Sequence, residues 1–452
     1  MANRILVCVA WPYANYLLHV GQAAGAYLPA DIFARYQRLA GNEVVMVSGS
    51  DCHGTPITVT ADKEGVSPRD IVDRYHPKIL EVWDRFGISF DLYTTTLTEN
   101  HYQTVQDIFL RLLERGLLYT STQDQLFDPQ AGRFLPDRYV EGTCPICGYA
   151  DARGDQCDNC GSQLDAVDLI NPRSRMSGAT PELRQSEHFF LKLTALENDL
   201  KEWVGKQAHW RRNVLNFTLG MLDEGLKDRA ITRDISWGVP VPVEGYDDKR
   251  IYVWFDAVIG YLSATKEWAQ RSGDPEAWKP FWQDPDARSY YFIGKDNIPF
   301  HTVIWPAQLM GYGGLNLPYD VPANQYVNYS AGQKQSKSKG TGTWMLDLLD
   351  VYDADVIRFY LTWIMPETSD SEFREDDLIR TNNDVLIATW GNLANRVISM
   401  IHRNFDGRVP EVAGRSPESL ALLEETRQAF DAVGAEFNAC HFRSGLQAAL
   451  KL

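Results

Sequence analysis

Ile5-Leu6-Val7-Cys8-Val9-Ala10 is followed by a loop, Trp11–Gln22, that contains Pro12, Asn15 and Gly21. Six apolar residues without polar alternation read as a parallel strand buried on both faces. The segment Ala23 to Leu39 then has helical character and stops at Gly41. Val44-Val45-Met46-Val47 is a second buried strand, with Ser50-Asp51-Cys52-His53-Gly54 at its carboxyl end. Together these form a βαβ unit. Sheets of this kind bind ligands beyond the carboxyl ends of their strands, where the Trp11–Gln22 loop and Asp51 both lie.

Outward from this unit the pattern changes between Gly116 and Ala230, where short strand-like pieces surround a group of cysteines and a helical stretch covers Leu196–Val204. An inserted domain is the simplest account. The α/β pattern resumes with Ile251-Tyr252-Val253-Trp254-Phe255-Asp256 and Tyr290-Tyr291-Phe292-Ile293-Gly294. A helix near Phe300–Met310 and a strand near Gln325–Tyr329 follow. Beyond Asp355 the chain reads as mostly helical, with Asn383–Asn404 and Pro417–Asn438 as long amphipathic segments. The fold class is therefore α/β: a Rossmann-type parallel-sheet domain split by an insert and followed by an α-helical bundle.

Four of the seven cysteines fall together as Cys144-Pro145-Ile146-Cys147 and Cys157-Asp158-Asn159-Cys160, each pair followed by glycine. Two C-x-x-C-G knuckles supply the four soft ligands of a tetrahedral, structural Zn2+, one per chain. The competing reading is a pair of redox motifs, but those open a helix after a strand, and this stretch is rich in Gly, Asp and Asn. Cys8, Cys52 and Cys440 are isolated and read as buried apolar filler. An odd cysteine count suits a reducing cytoplasm better than a disulfide framework.

The 452 residues carry 60 acidic side chains against 44 Lys plus Arg, a formal net charge of -16. No apolar run of about 18 residues is present and the amino terminus lacks a signal-peptide pattern, so no membrane partner is expected. A phosphate-bearing partner would have to use local positive surface, such as Lys334, Lys337, Lys339 and Arg396. Two features suit a polyphosphate. In the first, His19 and Gln22 can donate hydrogen bonds near a helix amino terminus, and Gly21 allows close approach. The second is Lys334-Gln335-Ser336-Lys337-Ser338, with two ammonium groups three residues apart.

In this order the two features resemble the HIGH and KMSKS signatures of class I aminoacyl-tRNA synthetases. Further words narrow the resemblance to the methionyl-tRNA synthetases. They are Trp11-Pro12-Tyr13-Ala14-Asn15, Ser50-Asp51-Cys52-His53-Gly54-Thr55-Pro56, Arg233-Asp234-Ile235-Ser236-Trp237-Gly238, Tyr252-Val253-Trp254-Phe255-Asp256-Ala257, Phe292-Ile293-Gly294-Lys295-Asp296 and Gly391-Asn392-Leu393-Ala394-Asn395-Arg396. The resemblance implies a ligase that activates L-methionine with Mg2+-ATP and passes the methionyl group to tRNA(Met). It implies ATP contacts from His19, Gly21, Gln22, Lys334, Ser336, Lys337 and Ser338, with His19, Gln22, Lys334 and Lys337 stabilising the transition state. It implies that Asp51 pairs with the methionine ammonium, inside a pocket of Tyr13, Trp254, Ala257, Tyr261 and His301. Asn392 and Arg396, one helical turn apart, would meet the anticodon.

The implied domains are residues 1–117 and 232–325 for the two catalytic halves and 118–231 for the zinc-binding insert. Residues 326–381 form the KMSKS-like loop and linker, and 382–452 a helical anticodon-binding domain that stops within an apolar helical pattern. Three positions depart from the family. Gln22 stands for the second His of the first signature, Gln335 for the Met of the second, and Tyr16 for a usual Gly. Gln22 donates hydrogen bonds but cannot be cationic, which leaves as alternatives a paralogue with weakened or altered activity, or a non-catalytic RNA-binding relative.

Overall fold

The computed structural model describes residues 3–154, 157, 159–160, 162, 164–329, 333–334, 342–411 and 414–451, with backbone alone at 137, 333 and 334. Ser336, Lys337 and Ser338 lie outside the described residues. Residues Arg4–Val9 form β1, Glu43–Ser50 form β2 and Leu92–Thr95 form β3. With the strands Arg288–Gly294 and Ala323–Asn324 they build a five-stranded parallel sheet, ordered 323–324, 288–294, β1, β2, β3. Apolar side chains of β1 alternate between two cores. Leu6 and Cys8 pack with Phe255 and Trp305 on one face, and Ile5, Val7 and Val9 with Phe33 and Phe292 on the other. Burial on both faces explains the unbroken apolar run.

The helix after the first loop is irregular. It runs from α1 (Val20–Gln22) through a π-helical turn, Ala23–Tyr27, into α2 (Leu28–Leu39). Pro29 has no N–H to offer the carbonyl one turn earlier, that of Gly25. The buried side chain of Asn324 donates to Gly25 O at 3.0 Å instead. A wide turn next to a functional loop is the usual place for such a bulge.

Within the insert, β4 (Leu118–Asp128) pairs antiparallel with Glu182–Leu191, from Leu118↔Leu191 to Phe127↔Glu182. A three-stranded sheet centred on Val140–Thr143 carries the cysteine knuckles and a small core with Leu126, Tyr139 and Leu169. Arg133 and the Tyr139 hydroxyl both donate to Asp62 of α3 (Thr55–Glu64), each at 2.6 Å, which docks the insert on the catalytic half. The helices Leu193–Gly205 and Arg212–Asp223 pack into the catalytic core itself, through Leu196, Leu200 and Val214. The stretch Ile251–Asp256 is strand only at Arg250–Ile251 and turns helical over Val253–Asp256. A short apolar run cannot by itself separate a strand from a buried helical turn.

Toward the carboxyl end lie the helices Ala354–Trp363, Asn392–Phe405, Pro417–Asn438 and Phe442–Ala449, the second entered through a π-helical segment, Asn382–Gly391. Phe442 is buried in the second core, whereas Leu393, Val397, Met400, Leu423 and Phe430 are exposed. Among the described residues no helix is long and apolar enough to cross a membrane.

One buried ion pair ties the helical part to the sheet domain. Asp31 on α2 is fully buried and accepts from Arg358 at 2.5 Å, from Arg35 at 2.8 Å and from the Ser89 backbone and hydroxyl at 2.8 and 2.6 Å. Burial alone would raise its carboxyl, but Arg358 and Ser89 outweigh that and hold it below the usual carboxylate range. We predict that Asp31→Ala, which leaves Arg358 unpaired, lowers unfolding free energy in urea by about 3 kcal/mol. The stabilisation is complete above the ordinary carboxylate range and fades as pH falls through the lowered value, so the variant and parent converge in acid.

Candidate active site at the strand switch point

Because the chain passes from β1 to β2 on one side and later returns to the strand Arg288–Gly294 on the other, a crevice opens at their carboxyl ends. The Trp11–Gln22 loop is stitched across it. Asp51 N donates to Pro12 O at 2.9 Å and Ala14 N to Asp51 O at 3.1 Å. Aromatic side chains of the loop sit directly on backbone: a Cβ at Gly54 would come within 2.1 Å of the Tyr13 ring, and one at Gly260 within 2.8 Å of Trp11. These glycines make the room that seats the loop.

A cavity of about 240 Å³ results, lined by Tyr13, His19, Gln22, Asp51, Trp254, Ala257, Tyr261 and His301 together with Trp11, Asn297 and Phe300. The first eight are residues that the sequence reading had singled out. Trp254 stacks on Phe300 with centroids 4.1 Å apart and meets Tyr13 edge-on at 6.3 Å. Phe300 and His301 lie in a second π-helical turn, Phe300–Ile304, which again precedes a proline, Pro306. His301 Nδ1 donates to Asn297 O at 2.8 Å, so Nε2 accepts from the Tyr261 hydroxyl at 2.7 Å. This fixes one neutral tautomer, and burial holds the imidazole down at about 4. His301 thus closes the pocket as a neutral group with both ring nitrogens hydrogen-bonded. The amphipathic aromatic walls suit an uncharged, polarizable side chain.

At another wall of the cavity, His19 caps α1. Its backbone N donates to Gln22 Oε1 at 3.2 Å, and its Nδ1 accepts from Gln22 N at 3.3 Å. A neutral His19 then carries its proton on Nε2 as a donor, and Gln22, held through its oxygen, keeps its amide nitrogen for donation. A Cβ at Gly21 would meet the His19 ring at 3.1 Å and Val327 O at 3.4 Å, so this glycine makes room for His19. The segment that follows the Lys-rich loop is bonded to the same turn. Val20 N donates to Thr343 O at 3.0 Å and Met345 N to Leu18 O at 2.8 Å. Tyr16 packs edge-on against Trp344 at 5.0 Å and tilted on Tyr75 at 5.7 Å, which accounts for an aromatic where Gly is usual. Lys334 is placed by its backbone in the strand Gln333–Lys334, paired with Val327–Tyr329.

Elsewhere, Asn392 and Arg396 are exposed on the helix Asn392–Phe405 and are not part of the cavity. The four cysteine sulfurs lie within 4.8 Å of one another, with Cys144–Cys160 at 4.0 Å and Cys147–Cys157 at 3.6 Å. A tetrahedron of sulfurs about 2.3 Å from a metal has edges near 3.8 Å, so the four thiols can hold a metal ion. The backbone N–H of Tyr149 and the Asn159 amide lower the Cys147 thiol, and hydrogen bonds from Ser162 bring Cys160 down to about 6. Cys8, Cys52 and Cys440 are buried apart from this group.

Sequence reasoning assigned no role to His53, His101 and Asp256, which lie buried beside Asp51. The available signal was an acid closing an apolar run, Tyr252–Asp256, where solvent would not reach it. For the pocket itself, Tyr261→Phe should leave His301 Nε2 buried without a donor. We expect a loss of about 2 kcal/mol in unfolding free energy, measured by denaturant titration, with secondary structure retained.

The family described as tRNA synthetases class I (M) matches residues 5–398. A methionine–tRNA ligase of Roseiflexus sp. (strain RS-1) is 56% identical over 461 residues, covering 100% of this chain and 78% of that relative. One from Dehalococcoides mccartyi (strain CBDB1) is 55% identical over 452 residues, covering 100% of this chain and 81% of its own. The solved structure of Mycobacterium tuberculosis methionyl-tRNA synthetase in complex with methionyl-adenylate superposes with a TM-score of 0.80 at 25% identity, over 100% of this chain and 82% of that one. With a class I tRNA synthetase model matching residues 5–398 and relatives more than half identical along its whole length, the chain belongs to the methionyl-tRNA synthetase family of class I tRNA synthetases.

Proposed function

We propose that this chain activates L-methionine with ATP to methionyl adenylate and transfers the methionyl group to the 3′-terminal adenosine of tRNA(Met). The observation that carries the reading is the cavity: a buried acid, Asp51, at the mouth of an aromatic pocket, beside a helix-capping histidine at the strand switch point. Asp51 receives the α-ammonium. Tyr13, Trp254, Ala257, Tyr261 and His301 enclose the thioether side chain, which a pocket of this size and polarizability favours over a charged one.

The methionine carboxylate then attacks the α-phosphorus in line, and pyrophosphate leaves. His19 and Gln22 are assigned to donate hydrogen bonds to the phosphate oxygens, and by the family resemblance Lys334 and Lys337 are assigned to offset their charge, with Gly21, Ser336 and Ser338 assigned to ATP. Their donors strengthen as charge builds on the pentacoordinate phosphorus, and no covalent enzyme intermediate is needed. Mg2+ arrives with ATP and neutralises its phosphate charge. Zn2+ is the metal assigned to Cys144, Cys147, Cys157 and Cys160, where an all-thiolate set leaves no open position and the role is structural. By the family resemblance Asn392 and Arg396 are assigned to the anticodon, and both are exposed one turn apart on a helix. We place the reaction in the cytoplasm, where tRNA charging has its substrates.

Methionine-dependent ATP–pyrophosphate exchange tests the assignment: exchange with methionine is expected, and exchange with leucine or isoleucine in its place would overturn it. Gln22 gives one specific ground for a second reading, a non-catalytic RNA-binding relative; protein that folds, retains zinc and exchanges with no amino acid would establish that reading. Within the leading one, Trp254→Ala removes the stacked wall and should raise the KM for methionine by about thirtyfold, near 2 kcal/mol. Metal analysis of the purified protein should find one zinc per chain, and Cys157→Ser should lose it together with the protease resistance of residues 140–174.

A further inference from the structure

Outside the cavity lining, three buried side chains make a closed series of short contacts. His53, His101 and Asp256 are exposed by 3%, 0% and 0%. His53 Nδ1 lies 2.6 Å from Asp256 Oδ2, and His101 Nε2 lies 2.5 Å from Asp256 Oδ1. Ligands of a divalent ion each stand about 2.0–2.2 Å from it and further from one another, so contacts this short hold protons rather than a metal. Burial would raise Asp256, but the two imidazoles outweigh it and hold the carboxyl at about 2. An ionised Asp256 accepts at both oxygens, which places protons on His53 Nδ1 and His101 Nε2.

This group is joined to Asp51. The His53 backbone N–H donates to Asp51 Oδ1 at 3.0 Å, and Asp51 is itself only 2% exposed. Two carboxylates in one dry site cannot both ionise without a positive partner. Burial first, and then the charge of Asp256, push Asp51 up to about 7, with His53 opposing them. The other groups facing the cluster do not supply the charge. The Cys52 thiol is raised by burial and stays neutral, as does the Tyr102 phenol, whose oxygen lies 3.2 Å from His53 Nε2. Ser263 Oγ meets His101 Nδ1 at 2.8 Å. Arg250 lowers the Tyr102 phenol against the effect of burial.

We propose that His53, Asp256 and His101 are positioning residues that set the charge of Asp51: they hold one extra proton on an imidazole, which offsets Asp256 and leaves Asp51 ionised for an incoming α-ammonium. The inference rests on the reading of Asp51 as the ammonium partner. With that proton in place the cluster sums to zero, one imidazolium against one carboxylate. Without it, the charge of Asp256 bears on Asp51 and drives Asp51 to take up the proton, which removes the partner of the ammonium. The cluster therefore acts on substrate affinity through electrostatics, with no contact to the reacting atoms.

The test is the pH dependence of kcat/KM for methionine in ATP–pyrophosphate exchange, in the full chain and its variants. The parent should lose methionine affinity on the acid side, as Asp51 is protonated. Asp256→Asn removes the neighbouring negative charge and should move this acid limb down by about one pH unit. His53→Gln keeps a donor but cannot be cationic, and should move it up by about one unit, with KM at neutral pH rising about tenfold and the loss falling on KM rather than kcat. Opposite shifts from two touching residues are not what a purely structural role produces. His101→Gln should shift the limb upward as well and serves if His53→Gln does not fold. Unmoved limbs in folded variants overturn the charge-setting role. Asp51→Asn separates the two readings: a large loss of methionine affinity there, joined to unmoved limbs, overturns this inference alone, whereas an unchanged KM overturns the assignment of Asp51 and this inference with it.

Discussion

Parallel pairing of β1 on both its edges is the constraint on which the rest of the molecule depends. Cys8 is paired with Val47 on one side and with Tyr291 on the other, and Ala10 N donates to Phe292 O at 3.0 Å where the strand ends. Two segments from opposite sides of a long insert are thereby fixed at one carboxyl edge. Much of the cavity hangs from that edge: Tyr13 and His19 after β1, Asp51 after β2, Asn297 and His301 after Arg288–Gly294, while the helical stretch 253–271 supplies Trp254, Ala257 and Tyr261. Parallel strands need crossover connections, and here the connections carry the insert and the pocket walls. The His53–Asp256 contact spans 203 residues of sequence, and only the tertiary fold brings its two ends together.

Proline irregularities refine what the sheet positions. Two π-helical turns, Ala23–Tyr27 and Phe300–Ile304, lie next to or contain cavity-lining side chains, and each precedes a proline, Pro29 and Pro306. Each proline withdraws a donor and widens the preceding turn. The first turn follows Gln22 and the second holds His301, so the two walls of the cavity share one local device. Asn324 makes the first bulge tolerable by donating to the carbonyl that Pro29 leaves, and in doing so it links the edge strand to the helix.

Polar groups around the cavity are settled in pairs. His301 is neutral because burial holds its imidazole down, and Tyr261 and Asn297 then settle its two nitrogens in one tautomer. His19 and Gln22 orient each other, so substitution of Gln for a second histidine leaves a donor in place but removes a possible positive charge. Tyr16 and Trp344 join the first loop to the segment 343–345 through a ring contact as well as backbone hydrogen bonds. The acidic total of the chain has little bearing here, since each of these interactions is local and dry.

Much of this was legible in the residues. The unbroken apolar runs of β1 and β2 determined a sheet covered on both faces, and the C-x-x-C pairs determined a four-sulfur cluster, because both are patterns of short range. The eight cavity residues could be named through the family resemblance, yet their arrangement could not. Ile251–Asp256 could be read only as part of the α/β pattern; it leaves the strand at Ile251 and is helical from Val253, since burial of a short run does not encode its period. Tertiary structure alone decided the tautomer of His301, the seat of Tyr16 on Trp344, and the burial of His53, His101 and Asp256 beside Asp51. Proton positions and charge states follow from which distant groups meet and whether water is excluded between them, and no local pattern of residues carries that information.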